Sequence, residues 1–225
     1  ITTRFVTLNM GITPANPTGE ILLFKNGGYE IVEKSGEQYL NPIFYPIAPL
    51  GLELEGQGMT AYVWDGGWVY TEHQEFDGPG GDDRVTIGDD ENQYSDHGTH
   101  VTGTILASGV NPEAKGMAPQ AKAVSYRWSQ DVPEGAAAAG NGMLLSNHSY
   151  GYPLDNIGDG AGIYGYDAKE FDAIMYNAPY YLQVVSAGND GGNNGANTEP
   201  LEGNVLYDKL SGMTTAKNNL TVANG

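Results

Sequence analysis

Five short, mostly apolar runs recur along the second part of the chain, and each is followed by small or polar residues. Runs of this length, apolar at successive positions, are typical of strands that are buried on both faces of a parallel sheet. The predicted strands are residues 60–65, 121–128, 143–148, 181–186 and 219–223.

Between these runs, apolar residues recur at the spacing of an α-helix. The segment 167–170, Asp-Ala-Lys-Glu, has the pattern of a capping box at a helix start. Alternating strands and helices predict an α/β fold in which a mainly parallel sheet lies between helices in three layers. The predicted helices are residues 97–108, 133–140, 167–178 and 206–215.

Residues 1–56 differ from this pattern. Ile21–Lys25 and Tyr29–Glu33 flank Asn-Gly-Gly and predict a β-hairpin, since Asn-Gly supplies the positive φ of a tight turn. The Pro-rich stretch Asn41–Pro49 is typical of an extended connector. We interpret residues 1–56 as an N-terminal extension, as the tail of a pro-segment or as a structural arm, and residues 57–225 as the main domain.

Composition excludes several classes of function. The 225 residues include 28 acidic and 10 basic side chains, and the net charge of −18 argues against nucleic acid or an anionic membrane as a partner. The chain has no cysteine, which excludes disulfides, Cys-ligated zinc and a cysteine nucleophile. No apolar run is long enough to span a membrane. The first residues, Ile-Thr-Thr-Arg, lack a signal-peptide pattern, so the chain is either already processed or cytoplasmic.

Two residues stand where chemistry is expected. Asp65 ends an apolar strand, and α/β folds place ligands and catalysis at such strand ends; it could equally be a turn residue. His97 stands at a predicted helix start, where the positive end of the helix dipole disfavours the imidazolium. A neutral imidazole can accept a proton, so His97 is a candidate general base.

The segment Ser95–Thr104, which reads Ser-Asp-His-Gly-Thr-His-Val-Thr-Gly-Thr, resembles the histidine motif of the subtilisin-like serine proteases. The resemblance implies that His97 is the general base and that His100 has no direct catalytic part. Asp65 then corresponds to the family's aspartate, which lies within Asp-Thr-Gly or Asp-Ser-Gly. Here Gly66 takes the middle position, so the neighbouring hydroxyl group is missing.

Further segments extend the resemblance to roughly residues 58–225, and it implies the three-layer αβα subtilisin-like fold. Ser-Ala-Gly-Asn at 186–189 resembles the motif that carries the oxyanion-hole asparagine, which would be Asn189. Its amide would donate to the oxygen that becomes negative in the tetrahedral intermediate. Asp65, His97 and Asn189 follow one another in the chain order of the family.

The resemblance also implies how a peptide substrate would bind. The strand 121–128 would end in an edge that pairs with the substrate backbone and uses Ser129 and Gln130. Ser149, Tyr150 and Gly151 resemble the family's Ser-Leu-Gly segment, which lines the pocket for the side chain before the scissile bond. Substrates would accordingly be proteins or peptides.

The nucleophile of the family is not found in this chain. Its Gly-Thr-Ser-Met motif is absent, and Ser211-Gly-Met lacks the preceding Gly-Thr and lies too close to Asn189. We therefore expect the catalytic serine on another chain or segment, a main domain that is incomplete at its C-terminal end, and little activity from this chain alone. The implied function is that of a secreted serine endopeptidase with an Asp-His-Ser triad.

Two other functions remain open. His97 and His100 have the spacing of two zinc ligands on a helix, so a metallohydrolase is one alternative. A non-catalytic, peptide-binding pseudo-protease is the other.

The loop 77–92 is rich in glycine and acidic residues, and its charge is either solvated or bound to a structural calcium ion, as is common in relatives. Its acidic residues are Asp77, Asp82, Asp83, Asp89, Asp90 and Glu91.

Overall fold

The computed structural model describes residues 20–25, 28–33, 54–78, 83–90, 92–157, 160–193, 195, 197, 200 and 202–223. The chain divides into two compact units, one of residues 1–54 with 224–225 and one of Glu55–Ala223. Whether residues 1–56 are a pro-segment tail or a structural arm stays a prediction.

The first unit contains the predicted hairpin. Strand β1, Glu20–Lys25, pairs antiparallel with strand β2, Gly28–Glu33, and Lys25 lies opposite Gly28. This register leaves two residues for the connection, as an Asn-Gly turn requires. The turn itself, the predicted connector 41–49, Asp82 and Glu91 lie outside the described residues.

The second unit is built on a six-stranded sheet in which every neighbouring pair is parallel. Its order is β4-β5-β3-β6-β7-β8, and it confirms the α/β class and all five predicted strands. The strands are β3 (Thr60–Asp65), β4 (Val85–Ile87), β5 (Lys122–Arg127), β6 (Leu145–His148), β7 (Leu182–Ser186) and β8 (Leu220–Val222).

Within the described ranges, three α-helices accompany the sheet: α1 (Asp96–Leu106), α2 (Asp131–Gly140) and α3 (Tyr166–Asn177). The predicted capping box is wrong, because α3 begins after Gly165 and has no side-chain cap. The helix predicted over 206–215 is also wrong. Asp208 and Gly212 have φ angles of 53° and 54°, which a right-handed helix cannot contain, and only a 3₁₀ turn forms at Gly212–Thr215.

One strand was not predicted. β4 has three residues and lies inside the acidic loop 77–92. An apolar pattern of three residues is too short to recognise among glycine and aspartate residues. β4 forms the edge of the sheet beside β5, and Val85 is buried with Val69 and Phe76 in the core. Tertiary packing thus overrides a local sequence that is typical of a loop.

Two apolar clusters cover the two faces of the sheet and produce the three layers. One contains Trp64, Phe171 and Met175 and lies against α2 and α3, whereas the other contains Leu106 of α1 and Ala123. Neighbouring residues of a strand point to opposite faces, and along β5 Ala123 and Tyr126 accordingly contact different clusters.

The sheet order places Asp65 at a topological switch point. β5 lies on one side of β3 and the next strand, β6, lies on its other side. Ligand sites of open α/β sheets form in the crevice at the carboxyl end of such a strand. Asp65 is the last residue of β3.

A buried glutamate fastens the loop after α1 to the short 3₁₀ helix Gln74–Phe76. The carboxylate of Glu75 accepts hydrogen bonds from the backbone N–H groups of Gly109 (2.7 Å), Val110 (3.0 Å) and Asn111 (2.7 Å). Burial acts to raise the pKa of Glu75, but these hydrogen bonds outweigh it and hold the pKa below its usual range.

We predict that Glu75→Gln lowers the free energy of unfolding at pH 7 by about 2 kcal/mol, because hydrogen bonds to a charged acceptor are lost. The hydrogen bonds that lower the pKa of Glu75 stabilise the folded protein at pH values above 4.5, the pKa of the group in the unfolded chain. This stabilisation is lost as the pH falls through the lower pKa of the folded protein. Urea unfolding at several pH values measures both effects. The exposed Glu113→Gln is the matched control, and equal stabilities of the two variants at pH 7 would contradict the prediction.

Candidate active site

Asp65 is 1% exposed, and both of its carboxylate oxygens have partners. Oδ1 accepts hydrogen bonds from the backbone N–H of Gly66 (2.7 Å) and from the Ser95 hydroxyl (3.0 Å). Oδ2 lies 2.8 Å from Nδ1 of His97. The structure therefore brings together the aspartate and the histidine that the sequence singles out, although 32 residues separate them.

The start of α1 packs tightly on Asp65. Ser95 is the N-cap, and its hydroxyl oxygen accepts a hydrogen bond of 2.9 Å from the backbone N–H of Gly98. A Cβ at Gly98 would lie 3.1 Å from the Cβ of Asp65, so a larger residue would crowd the carboxylate. His97 falls in the first helical turn, as predicted.

The contact determines which nitrogen of His97 carries the proton. A carboxylate can only accept, so Nδ1 donates to Asp65 and Nε2 is left as the acceptor of the neutral ring. The His97 side chain is 59% exposed and that of Asp65 is 2% exposed. A buried carboxylate thus orients an accessible imidazole whose free nitrogen can take a proton.

The two glycines after Asp65 have separate structural causes. A Cβ at Gly67 would lie 2.3 Å from the carbonyl oxygen of Gln93. This close approach accompanies two hydrogen bonds of the neighbouring Trp68, whose N–H donates to Gln93 (2.6 Å) and whose carbonyl accepts from Ser95 (2.8 Å). At Gly66, a Cβ would lie 3.3 Å from the ring of Trp128.

Asn189 follows β7 at the same edge of the sheet as Asp65, but it does not touch the Asp65–His97 pair. β7 is two strands away from β3, which corresponds to about 10 Å. Gly188 before it has a φ of 90°, a conformation that favours glycine, and the Asn189 side chain is exposed. Its role as an oxyanion donor stays a prediction.

Ser129 and Gln130 do not continue β5, so the extended edge predicted for them is wrong. They lie in the 3₁₀ helix Trp128–Gln130, and α2 starts immediately afterwards at Asp131. β5 itself ends at Arg127, whose N–H donates to the Asp89 carboxylate over 2.6 Å. A role of these two residues in substrate binding is left as a prediction.

Ser149, Tyr150 and Gly151 follow β6 and lie at the carboxyl edge, next to the end of β3. The Ser149 hydroxyl accepts a hydrogen bond of 3.0 Å from the Asn147 side chain. The position of this segment beside the Asp65–His97 pair is compatible with its predicted role as a wall of the substrate site.

Tyr150 of this segment belongs to a network of five hydrogen-bonded side chains that sequence reasoning did not find. His148 Nε2 is 2.8 Å from the Ser146 hydroxyl, which is 2.7 Å from the Tyr181 hydroxyl. His148 Nδ1 is 2.9 Å from the Tyr150 hydroxyl, which donates to Asp131 over 2.7 Å. Because Asp131 accepts, Tyr150 must accept from His148, and all donors then point from Tyr181 towards Asp131.

This network holds a neutral histidine. His148 is fully buried and stacks on Trp64 at 5.2 Å between ring centroids, and burial lowers its pKa to about 3. Burial also raises the pKa of Tyr150 and that of Asp131. The sequence indicated this network only through a histidine within a predicted strand.

We predict that His148 makes the protein less stable as the pH falls from 6.5 towards 3, because the unfolded chain binds a proton that the folded protein refuses. One such group changes the free energy of unfolding by up to about 1.4 kcal/mol per pH unit. His148→Gln should lower stability at pH 7 and remove this slope between pH 6.5 and 5, whereas the exposed His100→Gln should keep it. Denaturant titrations across this range test the prediction, and an unchanged slope in His148→Gln refutes it.

Among the residues that the structure describes, no group of three or more His, Asp or Glu side chains could hold a metal ion. Nδ1 of His97 is engaged by Asp65, and His100 is exposed one helical turn later. Asp89 of the acidic loop is used by Trp68 and Arg127. The metallohydrolase alternative therefore lacks a ligand set in this part of the chain.

No helix within the described ranges is long and apolar enough to cross a membrane.

Comparison with known proteins identifies the family. A model of the subtilase family matches residues 69–224, which is more than half of the chain. Fervidolysin of Fervidobacterium pennivorans is 32% identical over 155 residues, a match that covers 61% of this chain and 21% of that protein. The CspB protease of Clostridium perfringens is 18% identical, with a TM-score of 0.51 over 67% of this chain and 39% of that chain, and it shows the fold alone.

The chain belongs to the subtilase family. It spans about a fifth of the length of fervidolysin. Its sequence and its α/β fold with a parallel sheet agree on this assignment.

Proposed function

We propose that this chain is the N-terminal and central part of the catalytic domain of a serine endopeptidase that hydrolyses peptide bonds. The observation that carries the proposal is the 2.8 Å contact between Asp65 and His97 at the carboxyl end of the central strand β3. Membership of the subtilase family supports it independently. The substrates would be proteins or peptides, and the enzyme would act outside the cell.

In this proposal three residues of the chain support catalysis by a serine that lies outside it. Asp65 holds the His97 ring with Nδ1–H towards the carboxylate and stabilises the imidazolium that forms. His97 Nε2 accepts the proton of the serine hydroxyl as that oxygen attacks the peptide carbonyl, and then gives it to the leaving amine. Asn189 donates to the oxyanion of the tetrahedral intermediate.

The exposure of the groups supports this division of roles. The orienting carboxylate is buried, so water does not weaken its hydrogen bond to the ring. The His97 ring is accessible to a serine and to a substrate. Asn189 is exposed at the same edge of the sheet, where an oxyanion could form between it and the histidine.

We predict a strict order among variants when residues 1–225 are assayed together with the segment that carries the serine. His97→Ala should abolish turnover, and Asp65→Asn should reduce kcat by about 10⁴-fold, because the ring loses its orienting charge. Asn189→Ala should cost about 10²–10³, the effect known for the oxyanion asparagine of subtilisin. Peptide hydrolysis measured as kcat and KM gives all three values.

His100→Ala is the matched control, since this exposed histidine lies on the same helix one turn away. It should retain turnover. Residues 1–225 alone should neither hydrolyse peptides nor react with a serine-directed phosphonate. If His97→Ala and His100→Ala lost activity equally and excess zinc restored it, the enzyme would be a metallohydrolase. Peptide binding without any turnover by the wild-type chain and its serine-bearing segment would identify a peptide-binding pseudo-protease.

We also propose that calcium stabilises the folded protein, on the grounds of the acidic excess and the family resemblance. Because the described residues contain no group of three or more His, Asp or Glu side chains suited to a metal ion, the ligands would include other oxygen atoms or acidic residues outside those ranges. Melting temperatures in chelator and in millimolar calcium test this proposal. The expected result is a higher melting temperature with calcium, whereas identical values would mean that the acidic loop is solvated surface.

A further inference from the structure

We propose that Ser95 is a positioning residue for the Asp65–His97 pair and that its hydroxyl replaces the hydroxyl group missing at position 66. This inference rests on the proposed function, in which His97 is the general base. In the protease family that the sequence resembles, serine or threonine directly follows the aspartate, whereas in this chain Gly66 follows Asp65. In the structure a hydroxyl reaches Asp65 from another part of the chain, the N-cap of α1.

The hydroxyl of Ser95 makes two hydrogen bonds with opposite roles. Its oxygen accepts from the backbone N–H of Gly98 at 2.9 Å, and its proton is donated to Oδ1 of Asp65 at 3.0 Å. The first bond caps the helix that carries His97. The second ties the same point of the helix to the carboxylate, so one atom connects the two catalytic elements.

The bond to Oδ1 fixes the plane of the carboxylate relative to the histidine ring. With the Gly66 N–H and the Ser95 hydroxyl on Oδ1, the carboxylate cannot rotate about its Cβ–Cγ bond without losing two donors. Oδ2 is then held 2.8 Å from Nδ1 of His97. Because Asp65 is 1% exposed, water could not easily replace a lost donor.

The space around position 66 is closely filled. A Cβ on Gly66 would lie 3.3 Å from the ring of Trp128, which itself packs against Tyr150 at 5.2 Å between ring centroids. The Ser95 oxygen would lie 3.7 Å from the same Cβ position. Trp128 and Ser95 thus occupy the region that a side chain at position 66 would enter.

Three variants separate positioning from helix capping. Ser95→Gly removes the hydroxyl but costs a helix N-terminus only a few tenths of a kcal/mol, whereas Ser95→Ala removes both functions. Ser95→Thr keeps the hydroxyl. Thr99→Val is the matched control, because the Thr99 hydroxyl donates to the Ser95 carbonyl at 2.8 Å and thus supports the same helical turn through a bond that does not involve Asp65.

The first readout needs no catalytic serine. Nitrogen-15 NMR of the imidazole in residues 1–225 reports the tautomer of neutral His97. We expect the Nδ1–H form in the wild type, in Ser95→Thr and in Thr99→Val, and a measurable Nε2–H population in Ser95→Gly and Ser95→Ala. The second readout is turnover with the serine-bearing segment, where kcat should fall about tenfold in Ser95→Gly and KM should stay within about twofold.

A wild-type tautomer and kcat in Ser95→Gly would overturn the inference, and Ser95 would then only cap α1. The same changes in Thr99→Val as in Ser95→Gly would also overturn it, because they would reflect a loosened helix. Failure of the proposed function would give a different result from failure of this inference. Wild-type turnover in His97→Ala would remove the catalytic role of His97, while the tautomer comparison would still decide whether Ser95 positions the ring.

Discussion

The structure of the main domain depends on a buried carboxylate. Asp65 ends the central strand with almost no exposure to water, so its charge has to be stabilised by hydrogen-bond donors of the protein itself. Those donors come from the residue after the strand, from the cap of α1 and from the first turn of α1. Strand end and helix start therefore stabilise each other, and the chemistry proposed for His97 uses an arrangement that also stabilises the fold.

The glycines around this carboxylate allow the close packing that its burial requires. Gly98 allows α1 to approach Asp65, and Gly67 allows the segment before α1 to pass over the strand end. A Cβ at Gly67 would collide with the carbonyl oxygen of Gln93, and a Cβ at Gly98 would crowd Asp65. Gly98 of the histidine motif and Gly67 after the aspartate therefore serve packing, whereas the histidine serves the proposed chemistry.

Local patterns predicted the elements whose formation depends on local sequence. The five strands lie in short, mostly apolar runs, and His97 and Asp65 could be placed because each stands at the end of such a run or at a helix start. β4 and the turn at Ser129 and Gln130 were missed because tertiary contacts decide them, the first through pairing with β5 and the second through the early start of α2. No local pattern indicated that Ser95 supports Asp65 or that His148 joins a buried network, since both depend on contacts between side chains.

The bonds between Trp68 and the segment 93–95 have a consequence for how this domain can diversify. They close the chain between the aspartate strand and the histidine helix into a loop whose two ends are fixed to each other. The entropy of closing a loop grows only slowly with its length, by about 0.6 kcal/mol for each doubling. Insertions outside β4 and the 3₁₀ helix Gln74–Phe76 would thus leave the spacing of Asp65 and His97 unchanged, and the exposed part of this loop is a place where related proteins can acquire new surface.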